Sequence, residues 1–402
     1  MGGVVVSGIG LVTGLAPDRE GTWRRLVAGE SAIGPLTLFD TTGFRTSIAA
    51  QVDVAALGGW PGGELPHLGR TSRMALVATA EALADARLPL VAGPRTWPLV
   101  LGGGASGMFE AETFVGARLR SGPRVAGARF ILEVPHDSPS DRIAQAFGFT
   151  GPRVTVITAC SSGTIAVGLA ADMIAAGEAT VALAGGADSL SRLTYAGFNS
   201  LRVVDLEPCR PFDLRRRGMS CGEGAAILVL EDAEHARRRG VTPYATVLGY
   251  GVTDDALHMT RPDPTGAAWE RTIRAAIEDA GIAVTDIDYV NAHGTATEQN
   301  DAAECAAFRR ALGARLDEVP VSSAKGAVGH CLCAAGAVEA AITSLAVARQ
   351  TAPPTAGFAV PDPACPVDPI AGVGREMPIR VALSSSFAFG GNAAVLAFGR
   401  PA

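Results

Sequence analysis

Apolar residues along this chain keep two alternating rhythms. Short unbroken apolar runs of strand length stand at 4–6, 97–101, 154–157, 181–184 and 225–230, and between them apolar or small residues recur at helical spacing over 20–28, 73–86 and 163–176. A polar, arginine-rich helix at 233–239, closed by Gly240 and Pro243, divides the chain. Beyond it the same grammar returns, with strands at 246–250, 289–291, 319–322, 380–383 and 394–398 and helices at 268–279, 301–312 and 334–348. Strands alternating with helices predict an α/β fold whose sheets are covered by helices. The return of the pattern predicts two similar halves, residues 1–240 and 241–402, working as one unit. The proline-rich stretch 353–369 reads as an ordered surface loop.

Composition narrows the class of protein. With 402 residues, 48% of them hydrophobic and 18% charged, the chain suits a large, well-buried globular enzyme. A net charge of -6 without a long block of like charge offers no footprint for nucleic acid. No basic region precedes the apolar start and no run reaches about 18 apolar residues, so no membrane span and a cytoplasmic location are expected. The seven cysteines are scattered and odd in number, which predicts reduced thiols rather than a disulfide framework. His330-Cys331-x-Cys333 has no second pair at ligand spacing, so no metal is expected. Gly8-x-Gly10 lacks the third glycine of a dinucleotide site, and no phosphate-binding lysine follows the glycines at 102–104, so a nucleotide cofactor is not expected either.

The candidate chemistry sits where strands end. Cys160 stands between a strand and a small-residue helix, facing the helix's unpaired N–H groups, a setting that lowers a thiol pKa and makes a nucleophile. Gly163 and the serines beside Cys160 would let a bulky thioester approach. A buried structural cysteine fits the same local pattern. His293 and His330 stand at equivalent strand ends in the second half, and with Cys160 they suggest a site between the halves. His67, His136, His235 and His258 lack that setting and read as structural or surface residues. Lys325 is the only lysine beside 33 arginines, which suggests a place where a compact ammonium fits and a planar guanidinium does not. Ser384 to Gly391 sets Phe387 and Phe389 against the pair Gly390-Gly391, a backbone that could turn an N–H group into the site.

These motifs occur in a familiar order. Thr158-Ala159-Cys160-Ser161-Ser162-Gly163, Asn291-Ala292-His293-Gly294-Thr295 and Lys325 with Gly329-His330 are joined by Arg210-Pro211-Phe212-Asp213, Gly222-Glu223-Gly224-Ala225 and Asp255-Ala256-x-His258-Met259-Thr260. Over nearly its full length the chain resembles the elongating β-ketoacyl-acyl-carrier-protein synthases, synthase II-like condensing enzymes of the thiolase-like superfamily. The resemblance implies two duplicated halves in α-β-α-β-α layers and a dimer, either a homodimer or a heterodimer with a ketosynthase-like chain-length factor. It also implies an acyltransferase that takes its substrates from acyl carrier protein and needs no cofactor of its own, the phosphopantetheine being carried by that partner.

By the same resemblance, Cys160 receives the acyl group, His293 and His330 stabilise the enolate left by malonyl decarboxylation, and Lys325 orients the site and tunes His330. The N–H groups of Cys160 and Phe389 form the oxyanion hole, and Phe389 also gates the acyl pocket. Thr295, Thr297, Glu304, Phe387, Gly390 and Gly391 support the site, while Arg70, Arg73 and Arg202, with 215–217, are placed at the carrier-docking surface. Ser385, Ala388 and Asn392-Ala393 depart from the family's Asn-Ser-Phe-Gly-Phe-Gly-Gly-Thr-Asn stretch, which favours a specialised type II polyketide or polyene pathway over housekeeping fatty-acid synthesis. A thiolase would carry a second Cys-x-Gly cysteine near the end, a starter-type synthase an asparagine for one histidine, and a chain-length partner no Cys160.

Overall fold

A computed structural model describes residues 3–60, 68–90, 94–122 and 128–401. His67 lies outside the described residues. The first apolar run grows into the fully buried strand Val4–Thr13, paired antiparallel on one side with Gly224–Asp232 and on the other, over three residues, with Ala245–Asp254. Those three pairs join two five-stranded sets. In the first, the order outward is Val4–Thr13, Gly224–Asp232, Val181–Asp188, Leu99–Gly102, Arg153–Val156; in the second it is Ala245–Asp254, Asn392–Gly399, Val381–Phe387, Tyr289–Asn291, Val321–Ser322. Both sets run antiparallel, antiparallel, parallel, parallel across their neighbours. The duplicated pattern of apolar runs is thus repeated in sheet topology.

Two helices lie between the sets. Ser162–Ala175 and Ala335–Arg349 each pack on strands of both. Ala335–Arg349 is built from small apolar residues on every face because 335–347 is buried throughout, whereas Ser162–Ala175 leaves one side, with Asp172, exposed. The 18 residues Leu332–Arg349 have the length and hydropathy of a membrane span, yet 89% of that stretch is buried inside the protein. Arg70–Asp85 and Ser138–Phe147 cover the outer face of the first set, Ala267–Asp279 that of the second, and Glu298–Leu312 packs beside Ala267–Asp279. The result is the five-layer α-β-α-β-α arrangement.

Close approach between layers explains two glycines. A methyl group on Gly10 would lie 1.8 Å from the Ala78 carbonyl oxygen, so this glycine lets Arg70–Asp85 lie on the strand. One on Gly163 would lie 2.5 Å from the Ala337 amide nitrogen, where overpacking costs about 1–3 kcal/mol. Gly163 therefore serves the contact between the two central helices, not the approach of a thioester.

Other expectations shift. The helices Met108–Ser121, Ser138–Phe147 and Arg192–Leu201 are not among the elements predicted above. The stretch 353–369 is ordered but not wholly at the surface, since 353–356 is buried beneath the Lys325 turn and Thr355 Oγ1 accepts the Ser323 N–H at 3.1 Å.

Candidate active site

Three turns at strand ends meet in one cavity of about 530 Å³ that Cys160, His293, His330, Phe387 and Phe389 help to line. Cys160 is presented by a strained turn: Ala159 has φ +52, a left-handed conformation uncommon for a residue with a side chain. The serines on either side of the helix start hold it there. Ser161 Oγ donates to the Thr158 carbonyl at 2.8 Å, Ser162 Oγ donates to the Ala159 carbonyl at 2.6 Å and accepts the Thr158 N–H at 2.9 Å. Burial pushes the Cys160 thiol up to about 11, against the opposing pull of the Lys325 charge and of the backbone N–H groups of Phe389 and Cys160. The resting group is therefore a thiol. The helix start does not outweigh desolvation, contrary to the lowered pKa expected of that position.

His293 and His330 stand edge to face, ring centroids 5.3 Å apart at 86°. One ligand-type atom from each imidazole and the Cys160 sulfur all lie within 4.8 Å of one another. Burial depresses both imidazoles well below the ordinary histidine range, and the neighbouring Lys325 charge depresses them further, so both are neutral. Their tautomers follow from their partners. Lys325 Nζ donates to His293 Nδ1 at 3.1 Å, and the Leu332 N–H donates to His330 Nδ1 at 3.1 Å, which leaves the proton of each ring on Nε2. The site thus holds two neutral N–H donors beside the thiol.

Lys325 is 1% exposed, and its three ammonium protons have three acceptors: His293 Nδ1, the His293 carbonyl at 2.6 Å, and Glu339 Oε1. Its direct contact is with His293, and it reaches His330 through charge alone. The expected tuning of His330 by Lys325 is thus one of charge, while the expected orienting contact is made with His293. Glu339, absent from the sequence reading, is the buried counter-ion, and burial raises it to about 7. Its only signal in the sequence is that it is the lone acid in the small-residue helix 334–348.

Glu304 fixes the His293 turn from below. It accepts the N–H groups of His293 at 2.7 Å and Gly294 at 2.8 Å and the hydroxyl of Ser385 at 3.0 Å, and burial raises it to about 7. Ser385, one of the departures from the family motif, is built into this network. Phe389 sits on a loop tied down by Gly390 N–H to the Met259 carbonyl at 2.8 Å and Asp255 N–H to the Gly391 carbonyl at 3.0 Å. Thr295 and Thr297 line the cavity and share a hydroxyl hydrogen bond of 3.0 Å.

The basic residues divide sharply. Arg70 turns inward to the buried carboxylate of Glu223, with only 11% of its side chain exposed, and Arg73 is half-buried away from the cavity, so neither stands at the mouth. Arg202 does, together with exposed Arg45, Arg217 and Arg261. Arg215 pairs with Asp213 and Arg216 with Asp362. His258 also lines the mouth, its Nδ1 accepting the N–H groups of Thr260 and Arg261 at 3.1 and 3.2 Å, whereas His136 is exposed and His235 pairs with Glu231.

A thiol beside two imidazole donors, in the cleft of a doubled α/β fold, defines a condensing enzyme of the thiolase-like kind. The chain belongs to the β-ketoacyl synthase family: the family's N-terminal domain matches residues 1–236 and its C-terminal domain residues 244–359. It is 37% identical to 3-oxoacyl-[acyl-carrier-protein] synthase 2 of Coxiella burnetii, covering 99% of this chain and 98% of that one. Among solved structures, the ishigamide ketosynthase/chain length factor matches with a TM-score of 0.93 and 34% identity over the whole of both chains. A type II polyketide ketosynthase, seen in complex with its acyl-carrier protein and bound to the hexaketide, matches with a TM-score of 0.90 and 28% identity, again over both whole chains. The protein is an acyl-transferring condensing enzyme.

Proposed function

We propose that this enzyme joins malonyl-acyl carrier protein to an acyl group held on Cys160 by decarboxylative Claisen condensation, in a specialised type II polyketide or polyene pathway. The observation that carries the reading is the convergence of the Cys160 sulfur with two neutral imidazoles, one of them fixed by Lys325. In the first half-reaction Cys160 attacks the carrier's thioester, a new sulfur–acyl bond forms, and the thiol proton leaves with the released phosphopantetheine thiol. In the second, the malonyl unit loses carbon dioxide. The thioester enolate left behind takes hydrogen bonds from the two Nε2–H groups and attacks the acyl-cysteine. The N–H groups of Cys160 and Phe389 receive the tetrahedral oxyanion, which collapses to the β-ketoacyl product and a Cys160 thiolate that takes up a proton. The chain's own side chains and backbone N–H groups and the carrier's phosphopantetheine carry these steps.

The halves 1–240 and 241–402 act here as one catalytic unit, since the thiol comes from the first and the imidazoles and lysine from the second. A second subunit, identical or a chain-length factor, fits the free side of the edge strand Arg153–Val156, next to which Ile157 is 54% exposed. A cytoplasmic location agrees with seven free thiols. The substituted motif at Ser385, Ala388 and Asn392 favours the specialised pathway over fatty-acid elongation. Incubation with acyl- and malonyl-loaded carrier protein, followed by mass spectrometry, is expected to find an acyl adduct on Cys160 and a β-ketoacyl product two carbons longer. An adduct on another residue, or release of acyl groups without a new carbon–carbon bond, sinks the reading.

The carrier is met by the arginines at the cavity mouth. Carrier proteins of this class are acidic, and an acidic enzyme can dock one through a local basic rim. Reversing charge at Arg202 and Arg217 together is expected to raise KM for acyl carrier protein several-fold, more at low salt, while self-acylation by a small thioester is unchanged. Equal effects on both donors would place the damage in the site itself.

A further inference from the structure

Trp269 is a large aromatic residue beside the reacting groups that neither the motifs nor the hydrogen-bond network explains. It stands in the first turn of Ala267–Asp279, is 4% exposed, and lines the same cavity as Cys160 and the two imidazoles. Its ring lies flat on Phe387, centroids 4.2 Å apart and planes within 4°. Phe387, 3% exposed, in turn meets His293 edge to face, at 6.4 Å and 73°. The indole N–H has no hydrogen-bond partner among the described residues, so the contribution of this side chain is the shape and rigidity of its ring.

His293 is therefore held from two sides. Lys325 and Glu304 fix it through polar contacts, and Phe387, backed by Trp269, closes the apolar side. Phe387 cannot recede, because a buried ring is stacked directly behind it and packed interiors yield little. We infer that Trp269 is a positioning and specificity-determining residue for the malonyl half-reaction: through Phe387 it sets the His293 ring, and as a fixed wall it admits an unsubstituted malonyl unit and excludes one bearing an α-alkyl group. The physical reason is the geometry of the enolate. With the enolate oxygen on the two imidazole N–H groups, the α-carbon stands two bonds away, beside the wall that Phe387 and Trp269 form on the His293 side of the cavity, and an added methyl group would press on that wall. This inference rests on the decarboxylative reading given above.

The test uses the full chain as wild type, Trp269→Phe and Trp269→Ala, with malonyl- and α-methylmalonyl-loaded carrier protein. For Trp269→Ala, kcat with malonyl is expected to fall about tenfold or more while the rate of Cys160 acylation is unchanged, and the malonyl preference is expected to shrink by about tenfold or more, the scale of one methylene in a packed pocket. Trp269→Phe, which keeps a stacked ring, should restore most of both. A folded Trp269→Ala enzyme with an unchanged malonyl preference overturns the inference, as does acylation falling in step with condensation. Should the alanine variant not fold, Trp269→Leu is read for the same preference with the same two outcomes. A wild type that condenses no malonyl overturns the proposed function and this inference with it, whereas a wild type that condenses malonyl beside variants of unmoved preference overturns the inference alone.

Discussion

Lys325→Arg is expected to give a folded enzyme whose condensation rate falls about a hundredfold or more, although the positive charge is kept. The loss comes from shape. The ammonium places three protons on three acceptors inside a site that is 1% exposed, and two of those acceptors belong to His293. A planar guanidinium on a longer reach cannot make the same three contacts, and its extra volume pushes on the His293 ring. Because the charge remains, acylation of Cys160 should suffer less than condensation. A double variant, Lys325→Met with Glu339→Gln, removes the buried pair together and so leaves no unpaired buried charge, the usual cause of unfolding at such sites. With the lysine charge gone, one of the causes that depress His293 and His330 is lost, their pKa values rise toward the ordinary histidine range, and the acid limb of the rate profile moves to higher pH. Near wild-type turnover by Lys325→Arg would mean that the position needs only charge.

Lys325 could be singled out without a structure because it stands alone among arginines, whereas its partner could not. Glu339 is 14 residues away, on a helix whose small apolar residues announce burial but not what the acid faces. Trp269 was hidden for a similar reason. A buried aromatic at the start of an amphipathic helix has the same pattern whether it meets core or cavity. Strands such as Val4–Thr13, Leu99–Gly102, Val181–Asp188 and Gly224–Asp232 were legible because both their faces are covered, giving unbroken apolar runs, and so was the duplication built from them. Met108–Ser121 was not legible, since its only buried residue is Glu110 and no apolar stripe forms. Arginines are alike in sequence, so Arg70, which neutralises a buried glutamate, could not be told from Arg202 at the mouth. For Cys160 the helix start is visible in the sequence, whereas the desolvation that raises its thiol pKa is not.

His293→Ala and His330→Ala should each lower malonyl decarboxylation by about 10²–10³, the scale of removing one preorganised hydrogen-bond donor from a developing oxyanion. Acylation of Cys160 should survive in both, because the proposed enolate donors take no part in the first half-reaction. The two losses should not be equivalent in structure. His330→Ala frees the N–H of Leu332, a residue held at φ +54, and so loosens the turn before the central helix. His293→Ala removes one of three acceptors from Lys325 but leaves the main-chain carbonyl and Glu339 in place. The double variant should fall little further than either single one, since both donors serve one oxyanion and act as a unit. Carbon dioxide release from malonyl carrier protein, measured beside acyl-adduct formation on Cys160, separates the half-reactions. Undiminished decarboxylation by both single variants would remove the histidines from the enolate step, and loss of acylation in parallel with decarboxylation would place them at the thiol instead.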